Sequence, residues 1–345
     1  MSCPPRFGRM ALSPTPREAA AEVAVTAKRF LLVPLALACL QLPSIAAAQT
    51  FITAWGSAGA GDGQFITVVG VAVGSNGDIY VSDGGNSRVQ VFTSGGTYLR
   101  QWHVPLTTTG WGLNIAVDAS DNVYLGHNYS GHVYRYTSTG TLVTQWQAGD
   151  AGGIGSLCLA VDASGNVYVT AGHRVRVFLS SGVLIREWGT PAYPDGVALD
   201  AAGDVLVVDR DNNRILKFTS TGTYIASFGS YGTGDGQFNR PVRVAVGPQG
   251  TIYVVDNGNC RVEAFSAGGA FVTKWGSCDL GAADPGQFDN PIGVAVDGNG
   301  DIYVADTNNF RIQKFGSGPT PVVSLSWGSV KARYRGAAEP AAQGR

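Results

Sequence analysis

Imidazole both binds transition metals and moves protons near neutral pH, and this chain has four of them: His103, His127, His132 and His173. Two short segments hold three of the four, His127-Asn-Tyr-Ser-Gly-His132 and Ala171-Gly-His-Arg174. Brought together, His127, His132 and His173 could hold a metal for a lyase or hydrolase; kept apart, they are ordinary loop histidines. A second set comprises Trp111, Asn114, Tyr129, Asp195, Arg240 and Arg243. These large polar or aromatic groups interrupt a run of small residues, as a central binding rim requires. No Gly-x-Ser-x-Gly elbow, Walker loop or His-Glu-x-x-His is present, which leaves the familiar nucleophile, phosphate and zinc-protease motifs without support.

The elements that must position these groups are short strands. In Pro291 to Phe315, three apolar runs are separated by Asp-Gly-Asn-Gly and Asp-Thr-Asn-Asn, which predicts three strands joined by tight turns. The unit recurs at Gly70 to Phe92, Asn114 to Tyr136, Leu159 to Phe178, Gly196 to Phe218 and Arg243 to Phe265, with 44, 42, 40, 47 and 50 residues between successive closing aromatics. A period in the forties made of strands alone predicts propeller blades. Ten residues after each closing aromatic stands another, Trp102, Trp146, Trp188, Phe228 and Trp275, which marks a fourth, outer strand in five copies.

The sixth copy has no such strand after Phe315, whereas Thr50–Trp55 is an outer strand with no inner strands before it. The expected fold is therefore all-β: a six-bladed β-propeller over residues 49–316, closed by the N-terminal strand Thr50–Trp55 joining the last blade and hiding two edges. The competing closer, Val322 to Trp327, is approached through Pro319 and Pro321, which lack a ladder donor. Residues 317–345 then form a tail whose basic stretch, Lys331 to Arg335, is either a docking peptide or a solvated end.

Four copies carry Asp-x-x-Asn-x-Arg between second and third strands, giving the pairs Asp83 and Arg88, Asp209 and Arg214, Asp256 and Arg261, and Asp306 and Arg311. An ion pair repeated in four blades is read as structural, since a catalytic residue normally appears once. The second and third copies break this pattern at the histidine turns. Those turns and the connections between blades share one face of the ring, the upper face.

The Gly293-Val-Ala-Val-Asp297, Ile302-Tyr-Val-Ala-Asp306 and Asn309-Phe-Arg-Ile-Gln-Lys-Phe315 runs, with Gly-Asp-Gly-Gln-Phe at 61–65 and 234–238, resemble NHL repeats. The resemblance spans Thr50 to Phe315. It implies the propeller but no single activity, because NHL propellers include lyases, RNA binders, receptor ectodomains and recognition modules. Relatives that are amidating lyases gather histidines around a central zinc, and lactonase-like propellers gather Glu, Asn and Asp around a calcium. Here the residues entering the first strands are Gly70, Asn114, Leu159, Gly196, Arg243 and Gly293, with Asp195 one residue away. Neither metal set carries over, and no cofactor is expected.

Lys28 and Arg29, the apolar run Phe30 to Leu40 and the small residues Ala46 to Ala48 have the order of an export signal cleaved after Ala48. The run is too short for an ordinary membrane span. Acylation of Cys39 is the alternative, and translation is expected to start near Val25. Without residues 1–48 the chain carries 19 basic and 23 acidic groups, a net charge near −4, which argues against a nucleic-acid surface. Of the remaining cysteines, Cys260 and Cys278 fall at one end of one blade and are a disulfide candidate in a secreted, extracellular or periplasmic protein. Cys158 reads as a buried small group. The functional expectation is a monomeric, non-enzymatic scaffold binding a protein or glycan through its upper loops; the alternative is a metal-assisted enzyme using His127, His132 and His173.

Overall fold

The computed structural model describes residues 49–106, 112–149, 156–190, 194–278 and 284–316. The leader with Cys39, the site residue Trp111, the strand candidate Val322 to Trp327 and the basic tail lie outside the described residues. Six antiparallel four-stranded sheets make a six-bladed propeller. Blade 1, for example, is Val68–Val73, Ile79–Asp83, Arg88–Phe92 and Tyr98–His103, and blade 5 is Pro241–Val246, Ile252–Asp256, Arg261–Phe265 and Phe271–Trp275.

Thr50–Trp55 is the outer strand of blade 6. It pairs antiparallel with Arg311–Gly316, setting Phe51 opposite Phe315 and Trp55 opposite Ile312. The chain's first strand thus completes its last sheet, and the ring closes through hydrogen bonds between the two ends.

Blade cores repeat one packing. The middle strands are buried throughout, as in Ile79–Asp83 and Ile302–Asp306, because each is covered on both faces by neighbouring blades. In every blade but the fifth, the outer aromatic lies over a glycine in the next blade's lower hairpin. A Cβ on Gly140 would stand 2.6 Å from the Trp102 indole, and one on Gly182 2.8 Å from Trp146. Both glycines have positive φ (+90° and +91°), so space and backbone demand the same residue. Trp55 does this for blade 1, over Gly96.

The upper face is held by the repeated Asp, Asn and Arg. Asp83 accepts from the Ile66 and Thr67 amides, the Asn86 amide and Arg88 Nε, while Arg88 donates onward to the carbonyls of Ala60, Gly61 and Gln64. Asp256 with Arg261 and Asp306 with Arg311 repeat the pair at 2.8 and 2.7 Å. Asp209 with Arg214 repeats it at 2.8 Å with a more exposed arginine. The pair therefore staples the incoming connection onto its own blade. In blades 2 and 3 its places are taken by His127 and His132, paired across the hairpin, and by Ala171 and Arg174.

Cys260 and Cys278 form a disulfide that closes 18 residues. It joins the upper turn of blade 5 to the short parallel pairing of Ser277–Cys278 with Gln287–Phe288. The chain-entropy model assigns such a loop about 3 kcal/mol. Urea unfolding of Cys260→Ala/Cys278→Ala is expected to show that loss, and unchanged stability would contradict it. Among the described residues no helix is long and apolar enough to cross a membrane.

Candidate functional site

Inner strands crowd at the axis of a propeller, so what their upper ends carry decides what the channel can do. Gly70, Gly196 and Gly293 serve the crowding: a Cβ on Gly196 would meet Val242 O at 2.9 Å, and one on Gly293 Val69 O at 2.7 Å. Where blades 1, 4 and 6 have glycine, blade 2 has Asn114 and blade 5 Arg243. These two blades face each other across the ring, and Arg243 spans the axis.

One terminal nitrogen of Arg243, Nη2, donates to Asn114 Oδ1, and the other, Nη1, meets Cys158 Sγ. Asn114 is fixed in turn, its Nδ2 donating to Leu157 O (3.0 Å) and Asn128 Oδ1 (3.2 Å), while Asn128 Oδ1 also accepts from the Leu157 amide (2.7 Å). Cys158 Sγ lies 2.9 Å from Ser156 Oγ and 3.9 Å from Asp195 Oδ1. Arg210 Nη1 is 3.4 Å from Asp195 Oδ2, and Thr170 Oγ1 donates to Asp195 O (3.0 Å). Blades 2, 3, 4 and 5 thus supply Asn114, Cys158, Asp195 and Arg243 to one cluster. The cluster borders a cavity of about 60 Å³ lined by Gly70, Asn114, Cys158, Val197, Arg243 and Gly293 among others.

Burial pushes the Cys158 thiol up; Arg243 pulls against this and Asp195 adds to it. The sulfur is therefore held as a neutral thiol near pH 7, a proton donor more than a nucleophile. Asp195 is the cluster's carboxylate and Arg243 its planar cation. Each Arg243 terminal nitrogen has a second hydrogen beyond the bonds named, enough for one carbonyl or carboxylate oxygen.

Of the residues singled out in the sequence, the structure brings Asn114, Asp195 and Arg243 together. Tyr129 is exposed, with its ring 6.0 Å from that of His127. Arg240 sits on the exposed connection into blade 5 with φ +54°, its amide donating to Asn213 Oδ1. Cys158 reads in the sequence as a small buried group. It is buried, but its contacts are polar.

The histidines do not assemble. His127 Nδ1 lies 2.9 Å from Ser130 Oγ and His132 Nδ1 3.0 Å from Ser130 O, and burial followed by the neighbouring His132 lowers the His127 pKa. Among the described residues no three His, Cys, Asp or Glu side chains stand close enough to hold a metal ion. The described residues therefore do not fit the zinc arrangement of the resembling enzymes, and at the axis the Arg243 cation takes the Asn114 oxygen that a calcium ion would need.

The NHL-repeat family model matches residues 65–92, 192–218, 238–265 and 288–315, the four copies that keep Asp-x-x-Asn-x-Arg. No curated protein matches. Among solved structures, the fold is similar to virginiamycin B lyase from Staphylococcus aureus (12% identity, 78% of this chain and 98% of that one, TM-score 0.55). It is also similar to a gluconolactonase from Xanthomonas campestris (16%, 74% and 88%, TM-score 0.54). A third likeness is to a protein of unknown function from Bacteroides thetaiotaomicron (20%, 78% and 76%, TM-score 0.62). Lyases and a gluconolactonase on this fold overturn the expectation of a non-enzymatic binding scaffold. The chain is a six-bladed β-propeller, four of whose blades match the NHL-repeat model.

Proposed function

We propose that this propeller is an enzyme carrying out a lyase-type elimination at a carbon next to a carbonyl group, at the upper mouth of its central channel. The observation that carries the reading is the convergence of Arg243, Asp195, Cys158 and Asn114 from four blades on the axis. Such a reaction needs a base for the proton, a fixed cation for the charge that develops on the carbonyl oxygen, and an acid for the departing group. Asp195 is assigned the proton, Arg243 the oxygen and the neutral Cys158 thiol the leaving group. Asn114 holds the guanidinium in place. Enzymes of this fold that are lyases or act on a lactone support the reading as analogues.

Incubation with a panel that includes virginiamycin B, quinupristin and gluconolactone, followed by mass spectrometry, tests it. The expected product has the mass of its substrate. A product one water heavier would mean hydrolysis, and no turnover of any ring ester in the panel would count against catalysis at this site. Export belongs to the same proposal, supported by the order of charged, apolar and small residues over 28–48 and by the disulfide.

A further inference from the structure

The third strands of blades 1, 5 and 6 carry, two residues after their arginine, Gln90, Glu263 and Gln313. All three side chains are fully buried, and all three reach the connection entering their blade. Gln90 Oε1 accepts from the Gly63 amide (2.9 Å) and Nε2 donates to Gln64 O (2.7 Å). Gln313 Oε1 accepts from the Gly286 amide (2.9 Å) and Nε2 donates to Gln287 O (2.7 Å). Glu263 Oε2 accepts from the Gly236 amide (3.1 Å) in the same manner. Its Oε1 therefore occupies the place of the glutamine NH₂, facing the equivalent carbonyl, Gln237 O.

Arg261 does not satisfy that oxygen. Its Nη2 stands 2.6 Å from Glu263 Oε1, but the two Nη2 hydrogens are directed at Gly234 O (3.0 Å) and Gln237 O (2.6 Å). Glu263 Oε1 is left buried without a hydrogen bond. An acceptor set against an acceptor in a buried site is destabilising, and one proton removes the conflict.

We propose that Glu263 is a proton-operated latch: as the neutral acid its Oε1–H donates to Gln237 O, as glutamine does in blades 1 and 6, and as the carboxylate it loses that bond and holds the connection only through the Gly236 amide. The connection runs through Arg240 into Pro241–Val246, the strand that carries Arg243. The charged groups around the carboxyl are Arg261 on its own strand, Asp256 on the second strand and Lys274 on the outer strand. Lys274 is itself paired with Asp235 of the connection (2.9 Å). Burial pushes Glu263 up to about 7, against the pull of Arg261 and with the help of Asp256.

A carboxyl raised in the folded state contributes stability that is complete below its unfolded pKa, near 4.5, and lost as pH rises through about 7. Urea unfolding of wild type and Glu263→Gln from pH 5 to 8 isolates this group. Relative to the variant, the wild-type folding constant is expected to fall by roughly one to two orders of magnitude across that range. Parallel curves would overturn the latch. Should Glu263→Gln not fold, pH-difference infrared spectra of the wild type decide: a protonated-carboxyl band present at pH 6 and lost by pH 8 supports the latch, and its absence at pH 6 overturns it.

Discussion

A chain lacking Thr50–Trp55 is expected to lose cooperative unfolding. That strand supplies the whole outer ladder of blade 6, and its removal bares the edge of Arg311–Gly316, where Ile312 and Phe315 are buried. It also removes Phe51 from Phe315 (6.0 Å) and Trp55 from between Tyr303 (6.2 Å) and Phe92 (5.9 Å). The second of these contacts joins blade 6 to blade 1. Full burial of one large side chain contributes about 1.5–3 kcal/mol; Phe51 and Trp55 are half-buried, and together with the ladder they come to several kcal/mol, a large part of the ~5–15 kcal/mol by which domains are stable. The truncated protein should show a broadened, low-midpoint urea transition and a tendency to associate through the open edge. A sharp transition with an unchanged midpoint would show that the ring does not depend on this closure.

The blades could be read in the sequence because their causes are local. Asp-Gly and Asn-rich turns between apolar runs specify hairpins within about 20 residues, and six copies lacking one outer strand leave Thr50–Trp55 as the piece that completes the count. The axial cluster is of another kind. Arg243 and Asn114 are 129 positions apart, and only the curvature of a closed ring sets them opposite each other.

Both residues stood out because they replace glycine, and Asp195 because it precedes one. Cys158 had the same signal, lying immediately before the inner position Leu159, but its residue type suggested packing. Catalysis is hidden likewise: the first-strand positions do not carry the metal sets of the enzymes the repeats resemble, and a polar cluster without a metal has no comparable motif in the sequence. Glu263 was legible too, by alignment with Gln90 and Gln313, yet its consequence depends on where the two Arg261 Nη2 hydrogens point, which spacing does not encode.

Arg243→Met is expected to reduce kcat by about 10²–10³-fold, the range for loss of one preorganised donor to a developing oxyanion. Methionine keeps the apolar stem but leaves Asn114 Oδ1 without its partner and Cys158 without the adjacent cation. An unpaired buried group costs about 1–3 kcal/mol, so a modest fall in stability should accompany the loss. Arg243→Lys separates the two effects. It retains a positive charge but cannot span Asn114 and Cys158 with a planar fork, so stability should recover more than kcat. A variant with normal kcat and raised KM would make Arg243 a binding group only.

Asp195→Asn tests catalysis at the axis most directly. The substitution keeps the shape while removing the base and one acceptor oxygen; the half-exposed Arg210 contact is weakened, and the backbone contact of Asp195 O with Thr170 is untouched. Turnover of whichever ring ester the wild type opens should fall at least a hundredfold with the melting temperature nearly unchanged. Undiminished turnover by a folded Asp195→Asn protein would place the chemistry elsewhere.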